Sequence, residues 1–501
     1  MVESIPVAIK PPGTYERHKP EETVLYKIIQ NNWLSFQAQV EQDTGYPLPD
    51  FVIKEFEEYL RCGILAHGFL RAQCESCKFE HLVAFSCKRR GFCPSCGARR
   101  MSETAAHLVD NVLPMKNIRQ WVISFPFPIR LCLAVRPKIM ARALDITHSA
   151  ISNYYRKKIG IKKEKAKTGA VTLIQRFGGS LNLNVHFHQL FIDGCYELGA
   201  GNEPVDFYTA ETPSLKELDQ VLAQIIKRLT KYLEKQKIIV KDNENFQLEI
   251  PDEDTFSKLQ ASSVTYRFAT GPNKGKKALV LKSVPDEDHQ AKSGLVVKNS
   301  AFSLHAGVAT KAFDRDKLEQ ICRYIARPAV SEERLSLNVR GEVVYRFKKP
   351  WDDGTTAIKI TQMEMMEKLA ALVPRPRVHL TRFHGVLAPH YKLRKMIVPE
   401  KKQEPILSAA SNADEEQEKQ KSKTQRISWA RLLKRVFNID IEVCPKCRGK
   451  IKIIAAIEDS KVIKKILDHM NLPSTAPVLL PARGPPISDQ GDLFAQEFYN
   501  E

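Results

Sequence analysis

Apolar positions along this chain recur at helical spacing in some stretches and form strand-like runs in others, which predicts an α+β protein. Helical periodicity covers 22–35, 50–61, Pro137 to Lys158, 214–235 and 314–328. Pro328 closes the last of these, because its ring cannot continue a helix. Strand character marks IRQWVISFPFPIRLCL (118–133), VTLIQRF (171–177), LNVHFHQLFI (183–192) and KKALVLKS (276–283). RLSLNVRGEVVYRFKK (334–349) has the pattern of a hairpin turning at Arg340, Gly341 and Glu342. GGSLN (178–182), rich in turn residues, predicts a second hairpin between two strand-like runs. If that turn centres on Ser180 and Leu181, Gln175 lies opposite His186.

Breaks in the pattern divide the chain. Residues 1–21 are rich in proline and charge and read as a disordered tail. Residues 22–115 read as a helical, zinc-binding N-terminal domain and 116–398 as the central domain. Residues 399–428 are polar, charged and free of aromatics, the composition of a flexible linker. A small module with one Cys-x-x-Cys follows at 429–472, then a tail at 473–501. A length of 501 residues is compatible with this division.

Charge narrows the class of partner. Lys and Arg number 77 against 58 Asp and Glu, a formal charge of +19, which favours a polyanion. No run of about 18 apolar residues is present to span a membrane, and the N-terminus lacks the apolar core of a signal peptide. A cytoplasmic location is therefore expected, where the 11 cysteines stay reduced and paired ones suggest metal rather than disulfides.

Three sets of residues carry candidate chemistry. Cys74-x-x-Cys77 and Cys93-x-x-Cys96 are two knuckles suited to one tetrahedral zinc, since each tight turn presents two thiolates. Cys87 and His81 lie between them and could replace a ligand, whereas Cys62 reads as an ordinary buried thiol. Arg89, Arg90, Arg99 and Arg100 flank the knuckles and suit phosphate contacts. Second, His186 and His188 lie two apart on a strand and so share a face, where they could grip one metal while Phe187 turns to the core. Gln175 could add a carbonyl oxygen. Such a site keeps open positions and suits magnesium or manganese, though imidazoles also accept zinc, nickel or copper. Third, Tyr324 stands between Arg323 and Arg327 on an amphipathic helix. A phenol with a pKa near 10 is a poor nucleophile alone but becomes competent beside a metal-bound phosphate. On its own, a tyrosine on an amphipathic helix is usually a packing residue. Cys444 and Cys447 form a further pair without a second pair after it, and His469 would bring the set only to three ligands.

The order of these signals resembles that of the rolling-circle transposases of the bacterial insertion-sequence family numbered ninety-one, including the common-region (ISCR) elements. The resemblance rests on YLRCGILAHGFLRAQCESCKFEHLVAFSCKRRGFCPSCGARR, NLNVHFHQLFIDG, ICRYIARPAVSEERL, RFKKPWDDGTT and RFHGVLAPH, and on RISWARLLKRVFNIDIEVCPKCRGKIKIIAAI further on. It implies a central antiparallel-sheet endonuclease domain of the histidine-hydrophobe-histidine (HUH) type, preceded by a small zinc-binding module. It also implies catalytic Mg2+ or Mn2+ at His186 and His188, structural Zn2+, and a 5′-phosphotyrosine on Tyr324. The implied substrate is single-stranded DNA and DNA hairpins at element ends. Gln320 and Pro328 stand four residues either side of Tyr324, so the chain resembles the single-tyrosine branch. No GxxxxGK[ST] phosphate loop is present, and GPNKGKK (271–277) has the wrong spacing, so unwinding would fall to a host helicase. A plasmid replication initiator or relaxase, a non-catalytic zinc-dependent DNA-binding regulator, and a three-carboxylate transposase are the competing readings.

Overall fold

The computed structural model describes residues 17–199, 204–242, 245–248, 254–282, 295–351, 353–399, 435 and 442–483. Helices and antiparallel sheets make up these regions.

The N-terminal region opens with helices Val24–Thr44 and Asp50–Arg61. Thr23 caps the first by accepting from the Tyr26 amide, and Gly45 ends it in the left-handed conformation. Their apolar faces bury Trp33, which stacks on Phe56 at 4.5 Å, and Phe56 in turn meets Phe92 at 4.7 Å. Inside the stretch expected to be a tail, Pro20 is buried and Arg17 donates to the Gly63 carbonyl at 2.8 Å. A short hairpin (Phe69–Cys74 and Glu80–Ala84) and helix Pro94–Asn111 follow.

The central sheet has six strands in the order Val296–Asn299, Phe302–Thr310, Ile118–Ser124, Leu183–Ile192, Gly169–Phe177 and Thr381–Gly385, every neighbour antiparallel. Helices Pro137–Ile159 and Leu215–Lys235 cover one face, against Phe187 and Phe191. Helices Pro94–Asn111 and Arg315–Ala326 cover part of the other, against Val171, Leu173 and Leu190. Alternation then dictates the rest: with Phe187 on the first face, His186 and His188 must lie on the second.

The expected strand at 118–133 is only half strand. It ends at Ser124 and a helix runs from Phe127 to Val135. Pro126 precedes that helix and Pro128 sits in its first turn, where a missing amide hydrogen costs nothing. A short apolar run cannot by itself tell a strand from a buried helix. The hairpin at 334–349 forms strands Leu335–Leu337 and Val343–Arg346, closed by Asn338, whose side chain accepts from the amides of Arg340 and Glu342, both at 2.9 Å.

The expected linker, 399–428, lies outside the described residues beyond Pro399, and of 429–441 only Arg435 is described. Past it, strand Ile451–Ile457 pairs antiparallel with Phe69–Cys74, and helix Ser460–His469 sets Ile463 and Leu467 against Leu65, Phe69 and Leu82. The C-terminal module thus shares a sheet and a core with the N-terminal region. No helix among the described residues is long and apolar enough to cross a membrane.

Candidate active site and metal centres

His186 and His188 are both buried, with ring centroids 4.9 Å apart. Phe187 between them packs edge-on against Phe125 at 5.0 Å, which fixes the strand's orientation. Nδ1 of His186 lies 2.8 Å from the Asn184 carbonyl. A carbonyl only accepts, so Nδ1 carries the proton and Nε2 keeps its lone pair. Nδ1 of His188 lies 2.7 Å from the Gln120 side-chain amide, and its Nε2 is buried with no hydrogen-bond partner among the described residues. The Gln120 nitrogen faces Nδ1 and donates to it, so the proton of the neutral ring sits on Nε2; turning the Gln120 amide over would move that proton to Nδ1 and give Nε2 a lone pair. Burial pushes His186 down to about 4 and His188 well below the usual imidazole range, so both are neutral at pH 7, as metal ligands must be.

The turn Gly178–Asn182 pairs Phe177 with Leu183 and Gln175 with His186, with a bulge between in which Asn184 and Val185 oppose Arg176. Leu181 takes a positive φ there, and the Gly178 amide donates to the Asn182 carbonyl at 2.9 Å. Gln175 donates its side-chain amide to the Ile325 carbonyl at 3.1 Å. Its nitrogen is therefore committed to the helix, and its oxygen is the end that can meet a cation.

Tyr324 lies near the C-terminal end of helix Arg315–Ala326, which Asp314 caps and Pro328 follows. Tyr324 is 48% exposed and is not in the dry core. The Arg327 guanidinium sits 4.4 Å from the ring centroid and donates to the Tyr324 carbonyl at 2.8 Å, and the Lys348 ammonium lies 5.3 Å from the ring. The Arg327 charge also adds, after burial, to what holds both histidines down. Arg323 points away, toward Glu319 at 3.8 Å.

The cysteines correct the reading from spacing. Cys74, Cys77, Cys93 and Cys96 do not share one site. They divide between two four-thiol groups, Cys62, Cys87, Cys93, Cys96 and Cys74, Cys77, Cys444, Cys447. In the first, sulfurs lie 3.4 Å apart for Cys87–Cys96, 3.7 Å for Cys62–Cys96 and 3.7 Å for Cys62–Cys93. A zinc tetrahedron with bonds of about 2.3 Å needs edges of about 3.8 Å, so the group fits the ion. The amides of Cys87 and Lys88 donate to the Cys62 and Cys96 sulfurs, both at 3.3 Å, as thiolates require. Cys62 is thus a member of the set rather than an ordinary buried thiol. The physical reason is topological: the hairpin turns the Cys74 knuckle away, and the end of helix Asp50–Arg61 brings Cys62 in. His81 and His469 belong to neither group.

Two family models match the chain: one described as "Transposase zinc-binding domain" over residues 28–125 and one described as "Putative transposase" over 169–395. The first spans the Cys62 group, and the second spans Gln175, both histidines and Tyr324. The chain belongs to the IS91-like transposases. No curated protein and no solved structure matches it.

As a transposase the chain processes DNA, and its basic residues take on meaning in that light. Of the four arginines flanking the first thiol group, two brace the transposase itself. Arg90 donates to the Val378 carbonyl at 2.8 Å, and Arg100 to the Lys88 and Arg89 carbonyls at 3.0 and 2.9 Å. Arg99 pairs with Glu103 at 2.9 Å and Arg89 lies 3.9 Å from Glu58. Asp193 is enclosed in an ion pair with Arg119 at 2.9 Å and accepts from the Tyr155 hydroxyl at 2.9 Å, so it is spent on structure. Gln120, which faces His188, escaped the sequence reading, because its position opposite Leu190 depends on tertiary strand pairing. An aromatic row escaped it too. Phe347 stacks on Trp351 at 5.0 Å, Tyr266 meets Trp351 at 6.0 Å, and Phe127 meets Tyr266 at 5.8 Å. Trp351 is 37% and Phe127 43% exposed, and Lys348 connects this row to Tyr324.

Proposed function

We propose that this transposase nicks and rejoins single-stranded DNA at insertion-sequence ends by HUH-type tyrosine chemistry, the reaction of rolling-circle transposition. The observation that carries the reading is the pairing of a buried, neutral imidazole pair having an unpartnered ring nitrogen with a half-exposed phenol whose helix is tied to Gln175. His186, His188 and the Gln175 oxygen would hold a divalent cation, Mg2+ or Mn2+, which when bound supplies charge to the scissile phosphate. The protein's own groups do the rest. Tyr324 Oη attacks phosphorus and loses its proton. The P–O3′ bond breaks, and the departing oxygen leaves as a 3′-hydroxyl. The 5′-phosphate stays on the phenol, and attack by a 3′-hydroxyl on that ester reverses the sequence without ATP. Arg327, over the ring, offsets charge that develops on the phenolate and phosphate. The aromatic row from Phe347 to Phe127 offers faces on which unpaired bases stack.

The test is a labelled single-stranded oligonucleotide carrying the element end, mixed with protein and Mg2+ or Mn2+. A covalent protein–DNA adduct is expected. Tyr324→Phe should abolish it while DNA binding persists. An undiminished adduct in that variant would move the nucleophile elsewhere.

A further inference from the structure

The second thiol group joins residues from opposite ends of the chain. The Cys74 sulfur lies 3.5 Å from that of Cys447, and Cys77 lies 3.6 Å from Cys444. The two knuckles are built alike. The Lys78 amide donates to the Cys74 carbonyl at 3.1 Å, and the Arg448 amide to the Cys444 carbonyl at 2.9 Å. Lys78 and Arg448 share the left-handed conformation, with φ of 60° and 63°. The Cys74 amide donates to Phe79 and the Cys444 amide to Gly449, each at 2.8 Å. Two copies of one metal-binding turn thus face each other.

Their meeting is specified by more than sulfur. Strand Ile451–Ile457 pairs with Phe69–Cys74, placing Ile451 opposite Cys74. The Glu75 amide donates to the Lys450 carbonyl at 2.9 Å. A side chain at Gly449 would stand 2.6 Å from the Ser76 hydroxyl and 3.1 Å from the Cys74 sulfur, so only glycine allows the approach. The Lys446 ammonium sits 4.8 Å from the Phe79 ring. Further along, Gln30 donates to the Val478 carbonyl at 2.7 Å and the Arg483 amide to Ser35 at 2.9 Å, continuing the contact along the first helix.

From this we propose that Cys74, Cys77, Cys444 and Cys447 form a second structural zinc site, half from each end of the chain, which fastens the C-terminal module to the N-terminal domain. Four thiolates at tetrahedral spacing suit Zn2+, and a pair of knuckles from separate segments closes a site that neither completes alone. The site accounts for the isolated Cys444-x-x-Cys447. It also frees Cys93 and Cys96 to join Cys62 and Cys87.

The experiment measures zinc per chain in the full-length protein by elemental analysis. Two equivalents are expected. Cys74→Ser/Cys77→Ser and Cys444→Ser/Cys447→Ser should each lose one, and the quadruple variant should still lose only one. Protease cleavage between residues 400 and 441 should leave the two pieces bound to each other in the parent protein and let them separate in the Cys444→Ser/Cys447→Ser variant. One zinc in the parent, or two lost from the quadruple variant, would overturn the proposal. Should the variants prove insoluble, cobalt titration of metal-free parent protein decides. Tetrathiolate absorption saturating at two equivalents supports the site, and saturation at one refutes it.

Discussion

Gln175 donates its side-chain amide to the carbonyl of Ile325, the residue immediately after Tyr324. One hydrogen bond thereby ties the strand opposite His186 to the helix that bears the phenol. Gln175→Ala should cost about 1 kcal/mol of stability, the usual net worth of such a bond. Its effect on chemistry should be larger, because small displacements at a reacting centre lower rates steeply. We expect single-turnover adduct formation to slow by about tenfold or more while the urea midpoint moves little. An unchanged rate would remove Gln175 from the site.

Gln120 orients His188 from the neighbouring strand. Groups that hold a ligating imidazole typically affect metal affinity by about 10–100-fold. Gln120→Leu should therefore raise the Mn2+ concentration needed for half-maximal cleavage by that factor, with activity returning at saturating metal. A metal dependence identical to the parent's would show that His188 needs no such support.

Trp351 is the exposed centre of the aromatic row. Stacking of a base on an aromatic side chain is worth about 1–3 kcal/mol. Trp351→Ala should weaken binding of single-stranded oligonucleotides by about tenfold or more, measured by fluorescence anisotropy, and leave duplex binding nearly unchanged. Equal losses for both would point to general damage instead.

His148 stacks between His384, at 4.4 Å, and Phe191, at 5.2 Å. Burial pushes His148 down to about 3 and His384 down to about 4. Both are thus neutral in the folded chain at a pH where the unfolded chain, titrating near 6.5, takes up protons. Stability conferred by the neutral rings is present above pH 6.5 and is lost as pH falls toward their folded values, with a slope of at most about 1.4 kcal/mol per pH unit for each proton. Urea midpoints should drop between pH 7 and pH 5. His148→Phe, which keeps a flat ring in the stack, should make that drop shallower. An identical pH profile would exclude His148 as a contributor.

Much of the central site was legible from local rules. A turn centred between Ser180 and Leu181 sets Gln175 opposite His186; the turn instead centres on Ser180, with Phe177 opposite Leu183, and the bulge at Asn184 and Val185 shifts the register to that same pairing. Alternation set Phe187 against the core and both histidines on the other face. Pro328 marked where the tyrosine helix stops. What spacing could not convey was partnership over long separations. Cys74 and Cys93 are near in sequence yet serve different groups, while Cys74 and Cys447 are 373 positions apart and adjacent. Gln120 was hidden for the same reason. The run at 118–133 misled because apolar content alone does not distinguish its strand from the helix after Pro126.

The pairing of Cys77 with Cys444, 367 positions apart, imposes an order on biosynthesis. While the chain emerges from the ribosome, Cys62, Cys87, Cys93 and Cys96 are all available after the first hundred residues and can close their group early. The Cys74 and Cys77 thiols have to wait until residues 444–447 have been translated. Until then Leu65, Phe69 and Leu82 lack their cover from Ile463 and Leu467. A message truncated ahead of codon 444 would yield a product with that apolar surface open, a natural target for quality-control proteases.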